Sequence, residues 1–119
     1  MDYEAARQLL KSDVPVREAV AFHCQQAAEK YVKAFLVRHQ VEFPKTHNVR
    51  LLLDLVSAAD PDLATTLEPA SALTPYGVDV RYPGDFPDVL PGQDRTLFAV
   101  AGAVRNGVMA RLRSYLVGS

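Results

Sequence analysis

The stretch FHCQQAAEKYVKAFLVRH, residues 22–39, carries the strongest structural signal in the chain. It is rich in Ala, Gln, Glu, Lys and Leu, which lose little side-chain freedom in a helix. At ~100° per residue, Cys24, Ala27, Ala28, Tyr31, Ala34 and Phe35 fall within one apolar sector. No alternation of period two runs through the stretch, so a strand is excluded. The pattern predicts a helix from about Val16 to about Gln40.

The flanking sequence divides itself. Upstream, Ala6, Leu9 and Leu10 share one side of a helix predicted from Asp2 to about Lys11. Ser12-Asp13-Val14-Pro15 ends it, since Asp13 can cap and Pro15 suits a first helical turn. Downstream, Glu42-Phe43-Pro44-Lys45 is a break. Thr46 or His47 then opens a third helix, Asn48 to about Ala59, with Val49, Leu52, Leu53 and Val56 at helical spacing. Asp60-Pro61-Asp62 caps and restarts the chain. From Pro61 towards Arg81, Pro69 and Pro75 divide the sequence into two short helices. RYPGDFPDVLPGQ, Arg81 to Gln93, is a loop by its prolines and glycines. The last helix starts at Gln93 or Asp94 and ends near Val117, with Leu97, Ala101, Val104, Val108, Leu112 and Tyr115 on its core face. Helices with short connections and no strand signal predict an all-α, antiparallel up-down bundle of four to five helices, forming one domain over residues 1–119.

Composition narrows the function classes. A chain of 119 residues, 49% hydrophobic and 23% charged, builds one core without metal or disulfides. The formal net charge is −1, from 13 basic and 14 acidic side chains. An autonomous high-affinity nucleic-acid binder needs a basic surplus that is missing here, although a local basic patch remains open. Cys24 is the lone cysteine, which fits a reducing cytoplasm and a small core residue on a helix. MDYEAARQLLKSD at the start does not read as a signal peptide, and no run approaches the ~18 apolar residues of a membrane span. The expectation is a cytoplasmic protein with no membrane association.

Three pieces carry a resemblance: FHCQQAAEKYVKAFL on the second helix, PKTHNVRLLLDL after it, and Tyr76-Gly77-Val78-Asp79-Val80-Arg81-Tyr82-Pro83 further on. In this order and at these separations they resemble the HEPN family, over roughly Ala19 to Tyr115. The resemblance implies an all-α up-down bundle, often a homodimer, often encoded beside a small nucleotidyltransferase as a toxin–antitoxin pair. Some relatives are metal-independent endoribonucleases; others are described as nucleotide-binding or as scaffolds. The implied ligand is a nucleotide or RNA, with no cofactor and no metal.

The endoribonuclease branch of the family uses an arginine followed four to six residues later by a histidine. Histidine serves as acid or base near neutral pH, and arginine stabilises the charged phosphorane. After Arg81 those places hold Asp85, Phe86 and Pro87, so the motif lacks its base and enzyme activity stays undecided. Arg17 and His23 have the spacing but lie ~240° apart around a helix.

His23 has a better context. Gln26, Lys30 and Lys33 lie ~60°, ~20° and ~80° from it on one side of the helix axis. An imidazole, an amide and two ammonium groups along one stripe suit a phosphate, though a solvated helix face accounts for them equally. His47 follows Lys45-Thr46 at a helix start, where free N–H groups favour anions; alternatively Thr46 caps and His47 packs between helices. Arg81 and Tyr82 complete the phosphate candidates, unless Asp79 or Asp85 pairs with the guanidinium. Arg105, Arg111 and Arg113 form a basic patch that reads as solvated. Phe22 is out of register with its own apolar seam, which suggests burial against another element or a second subunit. Neither a glycine-rich phosphate loop nor zinc-ligand spacing is present.

Overall fold

The computed structural model describes residues 2–10, 17–76 and 89–116. Five α-helices form an all-α bundle: α1 (Asp2–Leu10), α2 (Arg17–Arg38), α3 (Val49–Ala59), α4 (Pro61–Leu67) and α5 (Gln93–Leu116), with a 3-10 segment, Glu68–Tyr76, continuing α4. The predicted helices are all present. The two short ones between Pro61 and Arg81 are α4 and the 3-10 segment. Arg81 and Tyr82 lie outside the described residues, as does most of the proline-rich loop that holds them.

The helix ends follow from local chemistry. α2 closes where Gln40 takes the left-handed conformation, φ 58°. There the Gln40 N–H donates to the Val37 carbonyl at 3.0 Å and the Val41 N–H to the Leu36 carbonyl at 2.9 Å. This pair of bonds satisfies the last carbonyls of the helix, and Val41 packs against the same core as Leu36. Asn48, not Thr46 or His47, is the N-cap of α3, its Oδ1 accepting from the Leu51 N–H at 3.3 Å. Thr46 Oγ1 instead accepts the Asn48 N–H at 3.0 Å, one step upstream. Asp60 both ends α3, its N–H donating to the Val56 carbonyl at 2.7 Å, and begins α4, its Oδ1 accepting from the Leu63 N–H at 3.0 Å.

α1/α2 and α3/α4 are antiparallel neighbours. The connection between α2 and α3 is longer than the sequence break suggests. Phe43 lies beside Lys33, with the ammonium 5.8 Å from its ring, and the His47 carbonyl reaches back to Gln25. The chain thus returns along α2, and α3 starts level with the first half of that helix. At the other end Asp60 meets Arg111, near the end of α5.

α2 is the central element, touching α1, α3, α5 and the 3-10 segment. Its buried surface is correspondingly wider than the predicted sector. Val20, Ala21, Val32 and Leu36 join Cys24, Ala27, Ala28 and Phe35 in the core, while Ala34 is exposed and Tyr31 half-buried. α5 buries Leu97, Ala101, Val104 and Val108 as its spacing predicts. Gly107 allows α4 to approach α5 closely, because a Cβ there would stand 3.3 Å from Leu63 Cδ1 and 3.4 Å from Leu67 Cδ2. No helix among the described residues is long and apolar enough to cross a membrane.

Candidate functional site

The first turn of α1 meets the middle of α2, which brings the Asp2 carboxylate to two side chains of the predicted stripe. Asp2 Oδ1 lies 2.9 Å from His23 Nδ1, and Asp2 Oδ2 accepts a hydrogen bond from Lys30 Nζ. His23 and Lys30 are two helical turns apart and nearly in line, so one carboxylate spans both. Only 16% of the Asp2 side chain is exposed. Burial raises its carboxyl, but hydrogen bonding and charge from Lys30 and His23 outweigh that and hold it below the ordinary carboxylate value.

Beside this contact, α1, α2 and α5 enclose a groove of about 390 Å³. Lys30 and Tyr31 come from α2, and Ala27 and Ala34 open the groove by having no side chain beyond Cβ. α5 contributes Arg105, and α1 contributes Asp2, Tyr3 and Glu4. Tyr3 stacks on Phe98 with ring centroids 4.9 Å apart and 23° between planes. The Arg105 guanidinium sits 5.4 Å from the Tyr3 ring centroid, an attraction that holds this long side chain at the groove wall. Two cations from different helices thus face one concavity large enough for a small ligand.

A second polar cluster lies across α2. Glu29 is 5% exposed and Gln25 fully buried. Lys33 Nζ donates to Glu29 Oε1 at 2.7 Å, and His47 Nδ1 lies 3.0 Å from both Glu29 oxygens. Gln25 Nε2 donates to Glu29 Oε2 at 2.8 Å and to the His47 carbonyl at 3.2 Å, while its Oε1 accepts from Gln26 Nε2 at 2.8 Å. Burial raises the Glu29 carboxyl, and Lys33, Gln25 and His47 together bring it below its ordinary value. This network ties the returning chain before α3 to α2.

The predicted stripe is therefore divided. His23 and Lys30 meet at Asp2; Gln26, Lys33 and His47 gather around Gln25 and Glu29. Asp2 and Glu29 were not anticipated. Glu29 has a readable signal, since Gln25 and Lys33 stand four residues to either side of it on one helical face. Asp2 has none in the sequence, because the contact exists only once α1 docks. Arg105 belongs to the groove rather than to a solvated patch, and Arg111 Nε is bound to Asp60 Oδ2 at 2.8 Å. Phe22 is half-buried and meets His23 edge-on, centroids 5.6 Å apart. Burial, then the charge of Asp94, pushes the Cys24 thiol up to about 12, which leaves it unreactive as well as buried. No group of three or more His, Cys, Asp or Glu among the described residues is placed to hold a metal.

A helical bundle with a groove of two cations and two acids beside its central helix is the class that fold and site define. The chain belongs to the HEPN domain family, whose model matches residues 1–106. The match takes in α1, which the three resembling pieces did not reach. No curated protein and no solved structure matches the chain.

Proposed function

We propose that this HEPN domain is a nucleotide-binding module whose ligand occupies the groove between α1, α2 and α5. The observation that carries the reading is the convergence of Lys30 and Arg105 on one concavity of about 390 Å³. Lysine supplies a point charge and arginine a planar pair of donors, a combination suited to a phosphate. Tyr31, Ala27 and Ala34 offer an apolar side for a base or ribose. A groove of this size takes one nucleotide unit, free or at the end of an RNA. The net charge of −1 favours such a local contact over a long nucleic-acid track.

The family resemblance supports a homodimer acting beside a small nucleotidyltransferase, in a cytoplasmic pair of the toxin–antitoxin type. Titration calorimetry with AMP, ADP and ATP tests the groove. Lys30→Ala and Arg105→Ala should each weaken binding about tenfold, the ~1.4 kcal/mol scale of one charge-assisted contact. Lys33→Ala, on the Glu29 side of α2, should bind like the parent below its melting temperature. Absence of binding to all three nucleotides and to a short single-stranded RNA would overturn the reading. RNA cleavage without added metal, lost in His23→Ala, would replace it with the endoribonuclease reading.

A further inference from the structure

Lys30 already has an anionic partner, although 67% of its side chain is exposed. That partner is Asp2, and the same carboxylate holds His23. The carboxylate oxygen on Lys30 presents to the ammonium what a phosphate oxygen would present. The remaining groove cation, Arg105, meets no carboxylate among the described residues: its guanidinium faces the Tyr3 ring and Nη1 donates to Asn106 Oδ1 at 3.3 Å. Glu4, the other acid of the groove, pairs with Arg7 on its own helix at 3.6 Å. The two acids therefore differ in role: one is bound across helices at the cation, the other along α1.

We infer that Asp2 is a built-in competitor for the phosphate site, so that ligand entry exchanges the Asp2 carboxylate for a phosphate on Lys30. The inference rests on the nucleotide reading of the groove and adds its regulation. The exchange joins ligand binding to the position of α1, because releasing Asp2 frees the first turn of that helix from α2. Tyr3, one residue on, carries the ring that holds Arg105, so movement of this turn also resets the second cation. Apparent affinity is reduced by the fraction of molecules in which Asp2 holds the site.

Titration with AMP and with adenosine, on the parent chain, Asp2→Asn and Glu4→Gln, tests the exchange. Asp2→Asn should bind AMP about fivefold or more tightly than the parent, in the range of ordinary site coupling, and adenosine no more tightly. Glu4→Gln should give a clearly smaller gain. In the parent chain, which avoids any question of folding, 13C NMR of the Asp2 carboxyl should show its titration midpoint rising towards the ordinary carboxylate value when AMP saturates. Unchanged or weaker AMP binding by Asp2→Asn, an equal gain in Glu4→Gln, or an unmoved Asp2 midpoint would overturn the exchange while leaving the nucleotide reading standing. If no chain binds AMP, that reading falls and the exchange with it.

Discussion

Glu29 is the side chain whose loss should be felt most. Its carboxylate is the common acceptor for Lys33, Gln25 and His47, and it is 5% exposed. Glu29→Ala leaves a half-buried ammonium and a buried amide without their partner, and should lower unfolding free energy by about 2–3 kcal/mol in urea titrations. The same group gives a pH signature. Its folded carboxyl lies below the ordinary value of 4.5, so its contribution is whole above that pH and is lost as pH falls through the lower, folded value. Asp2 acts in the same direction from its ordinary 3.8. Thermal melts should hold level down to about pH 5 and then fall, less steeply in Glu29→Ala. A parent melting temperature that rises below pH 4.5 would contradict this. At this scale the sequence was partly legible. Spacing along α2 placed His23, Gln26, Lys30 and Lys33 on one stripe, but only the folded chain shows that two carboxylates divide it.

Two elements end on single residues that can be tested. Gln40 holds a left-handed φ of 58° at the close of α2, a conformation that costs a Cβ-bearing residue about 1 kcal/mol. Gln40→Gly should stabilise the chain by roughly 0.5–1 kcal/mol, read as a higher urea midpoint at unchanged slope. Asp60 caps α4 and binds Arg111, with burial opposing and the Leu63 N–H leading the lowering of its carboxyl. Asp60→Ala should cost about 1–2 kcal/mol, and Arg111→Ala less, because the cap survives there. The Asp60-Pro61-Asp62 signal was read correctly because capping is local chemistry. The return of residues 41–48 along α2 was not readable. Pro44 announces a break but says nothing of its direction, which depends on where Gln25 and Lys33 can receive the chain.

Across the whole molecule, the helical class was legible because 3.6-residue periodicity is strong in α3 and survives in the buried positions of α5, while helix-forming residues mark α2. The wide buried surface of α2 was less so, since a central helix is surrounded and its apolar stripe blurs. Ala34 shows the difference: by angle it belongs to the core sector, yet it opens the groove. The groove itself was illegible, because Asp2, Lys30 and Arg105 are brought together only by the packing of α1, α2 and α5. A 15N-labelled chain titrated with AMP would locate the ligand directly. The account predicts the largest backbone shifts at Asp2, Tyr3, Ala27, Lys30, Tyr31 and Arg105, with Lys33 and His47 nearly unmoved. Shifts centred on Gln25, Lys33 and His47, or none at all, would contradict it.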